Sequence, residues 1–514
     1  MQYPFRIAAA FLVGVFASGL VVSSQSRQPV PKDKDTSKRP FDPSEEAVKV
    51  RDTKGDRPEA KQTGHDKSDK FDWTKPAPLT PALKDQPNQG RILGFEFSRD
   101  PLGAPKPFTT FEEVMAKESA DKPKVMAAHR KFLETRYDLN PKLDPEVKMS
   151  RGKPICVGPT AKLNGVTWDQ LGGMAAADIK KNNFFPYPSL PHPLHANGGQ
   201  VFPKTQIDMF PRLERFDVEF DIPEAFIPEF PPAIFLQNRP ELGDVSRGQV
   251  VSLANFRSLF KEIMTPVQLE GMRLLLTPLP QEEFNLTDDR KSPNPQQGVA
   301  CLDCHLNGHT TAQFHLSPDI RPQERRFRLD TVSLRGMFNQ QIHGSKRSLR
   351  SVEDFTEFEQ RTAYFNGDPI RAAKKGMQEI PRLNIPHMAQ AQNMFDFPPA
   401  PKLNLVGRLN EKANESEKRG EALFFGKAQC AVCHPAPFYL DHQMHDLHLE
   451  RFMDEPGDGP IKAFTLRGIK DSPPYLHDGR CLTLEDVVEF FNLVQGLRLN
   501  ADEKKDLVAF LRCL

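Results

Sequence analysis

Two copies of Cys-x-x-Cys-His, Cys301-Leu302-Asp303-Cys304-His305 and Cys430-Ala431-Val432-Cys433-His434, constrain this chain more than any other feature. Each is the attachment signature of a c-type haem, in which two thiols add across the porphyrin vinyl groups and the adjacent imidazole binds iron. Two intervening residues let both sulfurs reach the macrocycle edge, and the next side chain then points at the metal. With seven Cys and 14 His in 514 residues, chance supplies roughly 0.003 such motifs. The competing reading is a CxxC zinc knuckle, or a thioredoxin-like pair with a stray His. Zinc would want a second ligand pair, and neither motif has one nearby. The expected cofactors are therefore two covalently bound haem c groups, with His305 and His434 as iron ligands and Cys301, Cys304, Cys430 and Cys433 as tethers.

The first residues fit that chemistry. Residues 1–26 read as an export signal, with Arg6 as the positive region and an apolar or small run from Ile7 to Val22. An uncleaved anchor is the alternative for this segment. Haem of this type is attached outside the bacterial cytoplasm, so the expected location is the periplasm. Three further thiols remain, Cys156, Cys481 and Cys513. Cys481 and Cys513 could pair in an oxidising compartment, or all three could be buried thiols. A net charge of +1 excludes the basic excess of a typical nucleic-acid binder.

Composition divides the rest. Residues 27–90 are dense in charge and Pro and read as a disordered charged linker. Residues 91–285 form an N-terminal region of unassigned role. Its 216–222 run alternates apolar and charged residues, as a short strand would, before the prolines that follow. Helices are expected from Phe111 to Lys117, Lys122 to Arg136, Leu253 to Met264 and Pro266 to Leu276. His192 and His195 read as surface loop. Residues 286–405 and 406–514 read as the first and second haem domains. Helical spacing runs from Glu415 to Phe425, and capping-box starts stand at Thr483 and Asn500. The fold class is mainly α, with two c-type cytochrome haem domains preceded by an irregular Pro-rich region with few short strands.

The order of the two motifs, together with Phe464-Thr465-Leu466-Arg467-Gly468, Pro474-Tyr475-Leu476-His477-Asp478-Gly479 and Leu484-Glu485-Asp486-Val487-Val488, resembles the bacterial di-haem cytochrome c peroxidase and MauG family over about residues 270–514. Asp330 to Arg335 resembles that family's Asn-x-Pro-Ser-Leu stretch. The resemblance implies a peroxidatic haem on His305 and an electron-accepting haem on His434. It also implies hydrogen peroxide as substrate, a small cytochrome c or cupredoxin as electron donor, and a homodimer. A calcium ion between the domains would fall to Asp330, Ser472 and Pro474.

Some positions depart from the family. The run matched to its inter-haem Trp-Asp-Gly-Arg motif is Ile342-His343-Gly344-Ser345, which has no Trp. The position of the second iron's distal Met or Tyr is Phe491, which has no donor atom. Distal candidates are then His309, His315 and His343 for the first iron. Met444 is a candidate for the second, as are His442, His445, His448 and Met453. Peroxide cleavage also needs a proton carrier, and Glu353, Glu357 and Glu359 are the candidates. Glu353 and Glu357 share a helix face by their i, i+4 spacing. A MauG-like oxidase of a protein substrate and a non-catalytic electron carrier are the alternative functions.

Overall fold

The computed structural model describes residues 111–188, 200–213, 222–278, 280–281, 296–297, 299–315, 329–359, 384–453 and 459–514. The export segment, the charged linker, His192, His195 and most of the 216–222 run lie outside the described residues. Those described fall in one unit, Asp72–Leu514. Among them the secondary structure is mainly helical, with short strands in small antiparallel sheets. No helix among them is long and apolar enough to cross a membrane.

The motif-bearing half is built twice. In the first copy, helix α2 (Pro266–Leu275) begins at a Thr265 capping box and precedes Cys301. The motif itself opens helix α3 (Cys301–Cys304). Helices α4 (Val352–Glu359) and α5 (Ile385–Gln392) follow. In the second copy, α6 (Glu415–Phe425) begins at an Asn414 capping box and leads to Cys430. It is followed by α7 (Leu484–Val494) and α8 (Ala501–Leu511), capped by Thr483 and Asn500 as the sequence indicates. A glycine lets the outer helices of each copy touch. A Cβ on Gly271 would stand 1.9 Å from the His387 carbonyl oxygen, and one on Gly420 the same distance from the Asp506 oxygen.

The segments before α4 and α7 repeat residue by residue. Leu334-Arg335-Gly336 matches Leu466-Arg467-Gly468, and both glycines are left-handed, at φ 78° and 72°. Short 3-10 turns follow at Met337–Asn339 and Ile469–Asp471. Isolated bridges then close at His343 with Leu349 and Tyr475 with Cys481. This register pairs His477 with Ser345 and Asp478-Gly479-Arg480 with Lys346-Arg347-Ser348. The Ile342-His343-Gly344-Ser345 run thus stands in the first copy where Pro474 to His477 stands in the second.

The N-terminal region shares its core with both copies. Met126, Leu133, Tyr137, Leu171, Ile179 and Phe185 join the apolar cluster of α6, α7 and α8. Phe202, Leu236 and Phe260 join that of Met272, Val299, Leu302, Met388 and Phe395. Helix α1 (Phe111–Arg136) runs unbroken through Pro123, where two helices were expected. Pro123 is solvent-exposed, which lets the helix carry it at the cost of one backbone hydrogen bond. The span expected as a helix from Leu253 narrows to Phe256–Phe260.

Candidate haem-attachment sites

Both motif histidines are held by a backbone carbonyl. His305 Nδ1 lies 2.8 Å from the Val332 oxygen, and His434 Nδ1 lies 2.8 Å from the Tyr439 oxygen. The Phe464 carbonyl, which matches Val332 in the repeat, also acts on the His434 ring. A ring that donates through Nδ1 presents the Nε2 lone pair, the arrangement a metal-ligating imidazole adopts. Burial lowers the pKa of both rings, that of His305 to about 4, so both are neutral and able to ligate. Burial also pushes the Cys430 thiol up to about 12 and raises Cys304 and Cys433. Half-buried thiols beside an oriented imidazole fit covalent haem at both motifs.

The distal candidates separate by their contacts. His309 is corrected: its Nδ1 meets Ser333 Oγ at 2.7 Å and its Nε2 meets the Asp471 carbonyl at 3.0 Å, so neither nitrogen is left for iron. It ties the first motif's loop to the second repeat instead. His315 lies on the strand Phe314–His315, where only the backbone is described. His343 is 3% exposed, and its Nε2 has no hydrogen-bond partner. Burial lowers its pKa to about 4, with Lys462 adding to the shift and Glu353 opposing it.

Near the second motif, His445 Nε2 is taken by Asp441 at 2.7 Å. His448 is exposed beside Asp446 and Glu450, and Met453 is buried in the apolar cluster. Met444 is half-buried in the hairpin of Met444–His445 with Ile461–Lys462, and His442 Nδ1 is buried without a partner.

Of the three acids, Glu359 is the one whose charge reaches Cys304. Burial pushes its carboxyl up to about 7. Glu353 faces His343, while Glu357 is half-buried between them along α4. The Asp330 amide donates to the His477 carbonyl at 2.8 Å, which sets it against the loop after Ser472 and Pro474. Cys481 and Cys513 are unpaired thiols, and Cys513 Sγ donates to the Ala509 carbonyl.

One network went unseen in the sequence. Asp471 is 1% exposed and accepts from Arg335 at 3.0 Å and from the Ser150 amide at 3.1 Å. Arg335 also donates to the Ala233 carbonyl. The repeated Leu-Arg-Gly was the signal that could have exposed it.

These attachment sites define the class: a chain built to carry c-type haem. No protein-family model matches it. Curated relatives do. The chain is 29% identical over 150 residues to a cytochrome-c peroxidase of Pseudomonas sp., covering 19% of this chain and 40% of that protein. It is 33% identical over 122 residues to the methylamine utilization protein MauG of Methylorubrum extorquens, covering 19% and 34%. A cytochrome c551 peroxidase of Nitrosomonas europaea is 34% identical over 116 residues, covering 20% and 34%. The chain thus spans about a third to two fifths of the length of these relatives. Over that stretch its kin are cytochrome-c peroxidases and MauG, consistent with the di-haem peroxidase and MauG family. A solved MauG-like protein associated with microbial copper homeostasis is 21% identical, covering 50% of this chain and 90% of that one, with a TM-score of 0.35.

Proposed function

We propose that this chain is an exported, periplasmic di-haem c-type cytochrome that reduces hydrogen peroxide. The observation that carries the reading is the repeated site: a Cys-x-x-Cys-His whose imidazole is held through Nδ1, once on Val332 and once on Tyr439. Cys301, Cys304 and His305 would hold one haem, and Cys430, Cys433 and His434 the other. Bound haem would supply the iron and the electrons with which the O–O bond is cleaved. A small redox protein of the cytochrome c or cupredoxin type delivers electrons at the His434 site, and they are used at the His305 site. Glu359 would take the proton of the inner peroxide oxygen and return it to the outer oxygen, which leaves as water, and two electrons from the donor with two protons from solvent would carry the remaining oxygen to a second water. A carboxyl with a pKa of about 7 suits both halves of that transfer. Asp330, with the carbonyls of Ser472 and Pro474, supplies the oxygens for a calcium ion, and the chain pairs as a homodimer.

The likeness to MauG favours a second reading, an oxidase acting on a protein substrate. Phe491 counts against carrying that chemistry over directly. The test is protein made in a host that matures c-type cytochromes. The reading expects two haems per chain that survive acid-acetone extraction, a Soret change with peroxide, and oxidation of a reduced small donor protein. One haem or none overturns it, as do two haems inert to peroxide in both the oxidised and half-reduced states.

A further inference from the structure

The run matched to the family's inter-haem Trp motif, Ile342-His343-Gly344-Ser345, holds no Trp, yet the two copies meet through a set of aromatic rings. Phe338 lies on the 3-10 turn of the first copy, six residues beyond the carbonyl that holds His305. Phe438 lies in the second copy and directly precedes Tyr439, whose carbonyl holds His434. Their ring centroids are 6.4 Å apart, edge to face. Phe397, on the connector between the copies, completes a triangle at 6.1 Å from Phe338 and 6.3 Å from Phe438.

The backbone is shaped around this triangle. A Cβ on Gly336 would stand 2.0 Å from the Phe397 ring, and one on Gly468 would stand 2.7 Å from Pro398. Phe397 and Pro398 are thus wedged between the two equivalent left-handed glycines. The Arg467 guanidinium sits 5.4 Å from the centre of the Phe397 ring.

We infer that Phe338, Phe397 and Phe438 form the electronic contact between the two haem sites. The inference rests on the two-haem reading above. With haem bound at both sites, one electron would pass across these rings from the His434 site to the His305 site, with no bond made or broken. Phenylalanine is not oxidised at such potentials, and the nearby guanidinium disfavours a positive charge on Phe397 further. The rings therefore act as a packed medium for tunnelling and never hold the charge themselves. They are positioning residues for electron transfer.

The test uses the full haem-loaded protein. A single electron is introduced by pulse radiolysis, and its movement between haems is followed by absorbance. The variants are Phe338→Leu, Phe438→Leu and the double variant, with Phe132→Leu on helix α1 as the remote control. The double variant is expected to equilibrate about tenfold more slowly, equivalent to about 1.4 kcal/mol in the barrier. Both midpoint potentials, both Soret bands and the melting temperature of each single variant should stay close to the parent's. An unchanged rate in the double variant, with both haems present, overturns the inference and leaves the peroxidase reading intact. A parent with fewer than two haems per chain overturns the reading, and the inference with it. If leucine disturbs packing, Phe338→Tyr preserves the ring and should restore the rate.

Discussion

Glu359 occupies in the first repeat the place that Phe491 occupies in the second. Each is the eighth residue of its helix, counted from Val352 and from Leu484. The duplicated scaffold therefore offers one copy a carboxyl and the other a hydrocarbon ring. Only the first copy has a carboxyl at that position, so on the proposed peroxidase reading the acid–base step falls beside His305. Glu359→Gln is expected to cut peroxide turnover by about 10²–10⁴-fold while leaving haem content and the Soret maximum in place. Steady-state oxidation of a reduced donor protein checks this. Full turnover in the glutamine variant would remove Glu359 from the mechanism.

The two helix-contact glycines give a test of the duplication itself. Alanine in a helix interior ordinarily gains about 1 kcal/mol over glycine. At Gly271 and Gly420 the added methyl would meet a backbone oxygen at 1.9 Å, and backbone cannot swing aside as a side-chain tip can. Overpacking of this kind costs about 1–3 kcal/mol, so the net sign is destabilising. Gly271→Ala and Gly420→Ala should each lower stability in denaturant melts. A stabilised alanine variant at either position would contradict the close helix approach.

Asp506 links α8 to α6 and makes stability depend on acid. Its carboxylate accepts from Arg419 at 2.6 and 2.9 Å and from Ser416 Oγ at 2.5 Å. The Arg419 hydrogen bonds, helped by Ser416, hold its pKa below the ordinary 3.8. The folded state then binds fewer protons than the unfolded one around that pH. The contribution is complete above 3.8 and disappears as pH falls through the depressed folded value. Arg419 is 62% exposed, so the effect is small and weakened by salt. The melting difference between the parent and Asp506→Asn should be present at neutral pH and close in strong acid. A difference that grows on acidification would refute the assignment.

Legibility in the sequence followed the range of the interactions. Thr483 and Asn500 could be read because a capping box is complete within four residues, and the structure has both. Helix α6 could be read from its own periodicity. The carbonyls that orient the motif histidines could not, because a carbonyl carries no residue identity and Val332 is 27 positions from His305. His309 looked like a ligand because its pairing with Ser333 and Asp471 spans both repeats. Among the acids, periodicity grouped Glu353 with Glu357, yet the packing of α4 turns Glu359 toward Cys304. The N-terminal region was opaque for a related reason. Its apolar residues complete cores that the other half of the chain begins.

Asp486 is where that completion can be measured. It is 0% exposed and accepts the Thr160 amide and hydroxyl at 2.7 Å each and the Ala161 amide at 3.1 Å. The Leu482 and Thr483 amides add bonds at 3.1 Å. Burial raises its pKa, and the bonds from Thr160 and Ala161 oppose the rise. One side chain thus completes the capping box that Thr483 opens on α7 and fastens the N-terminal region to the second repeat. Asp486→Ala would strand several buried donors, each costing about 1–3 kcal/mol, for a total expected near 3–5 kcal/mol if some rehydrate. Asp486→Asn keeps one acceptor oxygen and should lose less. Because Thr160 and Ala161 lie on the other side of the contact, the alanine variant should also become sensitive to limited proteolysis near residues 150–165. Stability loss without new cleavage there would mean that Asp486 serves only the capping box of α7. Cleavage in step with destabilisation would show that the N-terminal region is held to the second repeat through this carboxylate.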